Sequence, residues 1–164
     1  MTDGITGVLF VCTGNICRSP TAHGLLQQRL DAAGLTPSVQ VDSAATHAYQ
    51  LGQPPDAFAV TVAARHGIDI SALRARRIER QDFFAADIIA VMDRANLMAV
   101  HKQAPASQAH KIRLLLDFAD GGEIADPYGQ PLAAFETAFA RIDQGVAGLL
   151  ATLGERPPAS ADGR

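Results

Sequence analysis

The stretch Val8-Leu9-Phe10-Val11-Cys12-Thr13-Gly14-Asn15-Ile16-Cys17-Arg18-Ser19-Pro20-Thr21 constrains the chain more than any other. Four consecutive apolar residues, partly β-branched, suit a buried central strand. A short polar loop follows, with a cysteine at its start and an arginine near its end. Ser19 is then a candidate helix N-cap, with Pro20 at the first helical position. Backbone N–H groups of such a loop, together with the open N-terminus of the helix, form a concave set of donors that favours an anion.

The rest of the chain repeats the alternation. The first strand is expected over Gly7–Val11, and its helix places Ala22, Leu25, Leu26, Leu30 and Ala33 on one face before Gly34 ends it. Pro37–Asp42 reads as a second strand with Val39 and Val41 inward, which opens a right-handed βαβ unit. After a long loop from Ser43, a helix runs from about Asp56 to Arg65, stopped by Gly67. The arginine-rich connection Leu73–Arg80 leads through a short helical segment at Phe83 and Phe84 to a third strand, Ile88–Met92. A helix near Arg94–Lys102, a fourth strand at Lys111–Phe118, a loop at Asp120–Pro131 and a helix over Leu132–Leu153 complete the pattern. That last helix has Phe135, Phe139, Ile142, Val146 and Leu149 or Leu150 on its core face. The fold class is therefore α/β, a parallel sheet covered on both faces in three α/β/α layers. Residues 1–153 read as a single domain and residues 154–164, with Pro157-Pro158, as a disordered tail. In such sheets ligands bind outside the carboxyl ends of the strands, where the Cys12 loop sits.

At 164 residues the chain can bury a core without disulfide or metal staples. A formal net charge of −3 gives no global reason for a nucleic-acid or anionic-membrane partner, so any positive site is local. No basic, apolar leader and no apolar run of roughly 18 residues is present, and a cytoplasmic location is the expectation. In a reducing compartment Cys12 and Cys17 are chemical rather than structural. His23, His47, His66, His101 and His110 show no paired ligand spacing, so no metal is expected. Nothing in the sequence sets an oligomeric state.

A thiol attacks as thiolate, which helix N-termini and nearby cations favour. Cys12 is placed for both influences, and Ser19 Oγ could donate a further hydrogen bond. Arg18 offers a planar fork matched to two oxygens of a tetrahedral dianion. Gly14 suits a close approach or a backbone angle that a side chain would obstruct, and Asn15 can hold the loop by bonding its own backbone. Phosphoryl transfer to sulfur is the natural reaction of such a site. In-line attack then needs a general acid on the opposite side. Asp42, Asp93 and Asp126 each follow a strand at this sheet edge. Loop placement favours Asp126, since Asp93 makes a good helix N-cap and Asp42 lies tight against its strand.

Val11–Pro20, together with Asp126-Pro127-Tyr128, Asp42-Ser43-Ala44-Ala45 and His66-Gly67-Ile68, resembles the low-molecular-weight protein tyrosine phosphatase family over roughly Gly7–Leu153. The resemblance implies a four-stranded parallel sheet in 2-1-3-4 order. It also implies hydrolysis of phosphotyrosine (aryl phosphate) monoesters through a phosphocysteine intermediate, with no metal or other cofactor. Cys12 would be the nucleophile, Arg18 the phosphate and transition-state ligand, and Asp126 the general acid and later base. Thr13, Gly14, Asn15, Ile16, Cys17 and Ser19, with Tyr49 and Tyr128 at the rim, would contact the substrate. Asn15, Ser19 and Ser43 would hold the loop and favour the Cys12 thiolate. Cys17 would trap oxidised Cys12 as a disulfide. The implied partners are a tyrosine-phosphorylated protein, with phosphate and oxyanion analogues as ligands.

The chain departs from the family pattern at Gly129, where a second tyrosine is frequent, at Thr13, where many animal members have a larger apolar residue, and at Leu73, where many have a loop-supporting histidine. Arsenate reductases of the same fold share the loop but use two further cysteines, absent here. A non-catalytic phosphoprotein-binding module would lack one of the three catalytic parts, all of which are present. The arginine run over residues 74–80 reads as a solvated face, or else as a recruiter of acidic partners.

Overall fold

The computed structural model describes residues 5–155. Four parallel strands, β1 (Thr6–Cys12), β2 (Val39–Ala45), β3 (Ile88–Val91) and β4 (Ile112–Leu114), pair in the order β2-β1-β3-β4. The helices are α1 (Arg18–Ala33), α2 (Ala57–Arg65), α3 (Arg80–Ala85), α4 (Arg94–Gln103) and α5 (Leu132–Glu155). Strand alternation sorts the core into two layers. Val8, Phe10 and Cys12 pack with Leu26 and Leu30 of α1, Val62 of α2 and Phe139 and Ile142 of α5. Leu9, Val11, Ile89 and Val91 pack with Phe83 of α3 and Val100 of α4 on the opposite face. β1 is thus central, and its carboxyl end, Cys12, is where the two layers hand the chain to the site.

The first helix corrects one expectation. α1 begins at Arg18 with Cys17 in the cap position and no side-chain cap. Ser19 is inside the first turn, because its hydroxyl is taken by Cys12 and Asn15 instead of capping the helix. Gly34 ends the helix as anticipated, in the left-handed region at φ 72°. Ala33, anticipated on the core face, is exposed. α2 and α4 start as the sequence suggests, capped by the carboxylates of Asp56 and Asp93.

β1 and β3 match their expected extents to within a residue at each end, and the other two strands differ by more. β2 starts later and runs on through Ser43-Ala44-Ala45, because Pro37 lies in a 3₁₀ turn, Thr36–Ser38, and Ser43–Ala45 pair with Phe10–Cys12. β4 is only three residues long, and Leu115–Phe118 turns as a 3₁₀ helix. Leu115 and Leu116 are both buried, which strand alternation does not allow for neighbours facing one core. The turn is covered by α5, which extends past Leu153 to Glu155. Residues 156–164 of the anticipated tail lie outside the described residues. Among the described residues, no helix is long and apolar enough to cross a membrane.

The contact between α5 and that turn is tight. A Cβ on Gly148 would stand 1.8 Å from the Phe118 carbonyl oxygen, and one on Gly145 would stand 2.5 Å from Leu115 Cγ. Gly148→Ala should lower stability by about 1–3 kcal/mol through overpacking, although alanine is the better helix former by about 1 kcal/mol. Urea unfolding checks this, and an unchanged or raised midpoint would contradict the packing.

Candidate active site

The loop from Cys12 to Arg18 is bound from outside through its carbonyls. Thr46 N–H donates to Cys12 O at 2.9 Å, His47 N–H to Thr13 O at 3.1 Å and Asp56 N–H to Ile16 O at 2.8 Å. Among the described residues, no group accepts from the N–H groups of Thr13, Gly14, Asn15, Ile16 or Cys17. A loop held from outside by its carbonyls, with its amide donors free, is an anion cradle. The left-handed position is Asn15, φ 59°, and not Gly14. A Cβ on Gly14 would meet Gln50 Cγ only at 3.5 Å, an ordinary contact. Asn15 tolerates the left-handed region because its short polar side chain finds local partners.

Those partners are not its own backbone, as the sequence suggested. Asn15 Nδ2 donates to Ser19 Oγ at 2.7 Å, and Asn15 Oδ1 accepts from Arg76 N–H at 3.0 Å. Ser19 Oγ lies 3.0 Å from Cys12 Sγ, and Ser19 N–H donates to the same sulfur at 3.4 Å. A chain of contacts therefore runs from Arg76 through Asn15 and Ser19 to the thiol. Arg76 is itself fixed: its guanidinium donates to Asp82 and Asp42 at 2.9 Å each. The hydrogen bond it donates to Asp82 pushes its pKa above the usual arginine value against a smaller desolvation effect. One member of the arginine run is thus half-buried and structural, whereas Arg74, Arg77 and Arg80 are exposed. Ser43 is not part of this chain. Its hydroxyl pairs with His23 Nδ1 at 3.0 Å, and burial lowers the His23 pKa, with Asp42 opposing.

Arg18 is 1% exposed. Its Nη1 donates to Asp93 Oδ2 and to the Ile124 carbonyl, both at 2.7 Å, while Nη2 lies 3.6 Å from Asp126 Oδ2. Its Nε is a buried donor with no partner among the described residues. Asp93 does double service, since its other oxygen accepts from Asn96 N–H at 2.8 Å and caps α4. Asn96 Nδ2 then donates to Thr13 Oγ1 at 3.1 Å, so the start of α4 braces both ends of the loop.

Cys12, Thr13, Gly14, Ile16, Cys17, Arg18, Tyr49, Gln50, Asp126 and Tyr128 line one open cleft of about 390 Å³. Of the three candidate acids only Asp126 faces it; Asp42 is committed to Arg76 and Asp93 to Arg18. Asp126 Oδ1 accepts from Tyr128 N–H at 3.1 Å, leaving Oδ2 toward Arg18. Asn15 and Ser19, anticipated as substrate contacts, are buried behind the loop and do not line the cleft. Cys17 is buried, and burial, reinforced by Asp56, pushes its thiol well above the usual cysteine range. Gln50, Asn96, Arg76 and the clamping role of Asp93 had no sequence signal beyond the N-cap position of Asp93. Among the described residues no cluster of His, Cys, Asp or Glu could hold a metal ion.

A cleft with a thiol, an anion cradle, a buried guanidinium and a half-exposed carboxylate defines a site for a phosphate-like group. The family model described as low molecular weight phosphotyrosine protein phosphatase matches residues 7–158. The human low molecular weight phosphotyrosine protein phosphatase is 38% identical over 136 residues, covering 80% of this chain and 85% of its own. A protein tyrosine phosphatase from Entamoeba histolytica, solved with Hepes in the active site, superposes with TM-score 0.87 at 29% identity, covering 92% of this chain and 97% of its own. Vibrio vulnificus Wzb in complex with benzylphosphonate gives TM-score 0.82 at 31% identity, covering 91% and 99%. The chain belongs to the low molecular weight phosphotyrosine protein phosphatase family.

Asp93→Ala should destabilise the fold by roughly 3–5 kcal/mol, the range for leaving a buried charge uncompensated. Asp93→Asn should recover about 1 kcal/mol of that through the retained helix cap. Chemical denaturation of both variants checks this; equal stability to wild type would remove Asp93 as the counter-charge of Arg18.

Proposed function

We propose that the chain hydrolyses the phosphate monoester of phosphotyrosine in proteins through a phosphocysteine intermediate, with residues 1–153 acting as one catalytic domain. The observation that carries the reading is the convergence of Cys12, Arg18 and Asp126 on one cleft. The Cys12 thiolate attacks phosphorus in line, forming the S–P bond as the bond to the phenolic oxygen breaks. Protonated Asp126 gives its proton to that leaving oxygen. In the second step Asp126, now a carboxylate, takes a proton from water as the water oxygen attacks phosphorus, releasing inorganic phosphate and the thiolate. Arg18 and the free loop N–H groups hold the equatorial oxygens through both steps. The donor set supplies charge neutralisation from the protein alone. Ser19, with its N–H and hydroxyl at the sulfur, supports the thiolate in both its entering and leaving roles. Both cysteines are free thiols, which suits a reducing compartment such as the cytoplasm.

Tyr49 and Tyr128, both exposed at the cleft mouth, are suited to flank an aryl leaving group. Cys17 serves in this reading as the resolving thiol: when peroxide has converted Cys12 to a sulfenic acid, the Cys17 sulfur displaces its oxygen, which leaves as water, and a disulfide forms.

Cys12→Ser should abolish turnover of p-nitrophenyl phosphate and of a phosphotyrosine peptide; normal turnover would overturn the mechanism. Asp126→Ala should slow the phosphorylation step by about 10²–10⁴-fold for phenyl phosphate and far less for p-nitrophenyl phosphate, whose leaving group needs little protonation. Single-turnover kinetics separates the two substrates, and equal losses would remove Asp126 as the acid. After mild peroxide, mass spectrometry should find a Cys12–Cys17 disulfide; Cys12 sulfonate alone would contradict the role given to Cys17.

A further inference from the structure

Tyr49 is 71% exposed, yet one face of its ring is covered. His47 stacks against it with centroids 5.0 Å apart and 14° between the planes, inside the range of offset stacking. Tyr49 is among the residues that line the cleft and His47 is not. His47 is itself anchored to the loop. Its N–H donates to Thr13 O at 3.1 Å, its Nδ1 lies 2.7 Å from Thr46 Oγ1, and Thr46 N–H donates to Cys12 O at 2.9 Å.

We propose that His47 is a positioning residue that fixes Tyr49 as a rigid wall for the aryl ring of the substrate, and so sets the preference for aryl over alkyl phosphate monoesters. The inference rests on the phosphatase reading and extends it to selectivity. The cradle and Arg18 contact the phosphoryl group, which is identical in every monoester, so they cannot distinguish leaving groups. Discrimination at the binding stage, apart from the leaving-group chemistry that Asp126 serves, has to come from residues around the cradle. An exposed tyrosine held by nothing loses rotamer freedom when it packs on a ligand, and that loss offsets the contact. With His47 already stacked on it, the ring is ordered before the ligand arrives. The hydrogen bond to Thr46 holds the imidazole plane, and the backbone bond to Thr13 sets its height relative to the loop.

Calorimetric binding of benzylphosphonate and methylphosphonate to the full chain tests this, with turnover of phenyl phosphate measured alongside. Wild type should bind the benzyl ligand more tightly. His47→Ala should reduce the benzyl-to-methyl affinity ratio by about three- to tenfold and leave methylphosphonate unchanged. His47→Phe, which keeps a ring to stack, should preserve the ratio, whereas His47→Asn, which keeps a polar group without a ring, should lose it as alanine does. No benzyl preference in wild type, an unchanged ratio in His47→Ala, equal weakening of both ligands, or rescue by asparagine and not by phenylalanine would each overturn the proposal. Wild type that shows the expected ratios without turning over phenyl phosphate would sink the hydrolytic reading and leave the role of His47 standing. Turnover with a ratio indifferent to His47 would do the reverse.

Discussion

The interaction on which the rest depends is the burial of Arg18. A guanidinium removed from water is strongly unfavourable unless its hydrogen bonds and charge are met. Asp93 and the Ile124 carbonyl meet one nitrogen, and Asp126 stands near the other. The partners come from two distant parts of the chain, the start of α4 and the loop that carries Ile124 and Asp126. Asp93 follows β3 and is held as the cap of α4, and Ile124 is hydrogen-bonded to Met92 at the end of β3. The requirement to satisfy one cation therefore brings the loops after three strands to a common point above β1. The cleft is a by-product of that convergence.

A second set of contacts does for the thiol what the first does for the cation. Arg76 bridges β2 and α3 through Asp42 and Asp82, and its backbone fixes Asn15. Leu73, where the family resemblance led one to look for a supporting histidine, has no place in that chain of bonds. The support is carried three residues later by main chain, which is indifferent to the side chain at 73. Asn15 in turn accepts a backbone conformation few residues tolerate, and in exchange orients Ser19 at the sulfur.

What could be read from sequence was what is local. The strand, loop and helix around Cys12 follow from apolar runs and turn chemistry within twenty residues. Asp126, the proposed acid, stands out in the sequence because it lies in a loop with no competing task. Asp93 looked like a helix cap and is one; its second oxygen reaches a partner 75 positions away, which no periodicity reports. Arg76 resembled its exposed neighbours because a half-buried arginine has no pattern of its own. Ser19 misled in the opposite direction, since a good N-cap residue in the right place was claimed by a thiol. The fourth strand was overextended for a related reason: consecutive leucines look like a buried strand, and here tertiary contact with α5 bends them into a turn.

The order of these contacts along the chain has a consequence for biosynthesis. The nucleophile and its cradle emerge early, but the carbonyl of Ile124 and the carboxylate of Asp126 come more than a hundred residues later, and α5, which closes the core over α1, comes last. Parallel pairing of distant segments forms slowly. A nascent chain that ends before the loop of Ile124 and Asp126 carries the thiol and Arg18 without the Ile124 carbonyl that holds the guanidinium and without Asp126. The site is complete only once the loop that carries Ile124 and Asp126 has been made, so the N-terminal part of the chain alone does not assemble it.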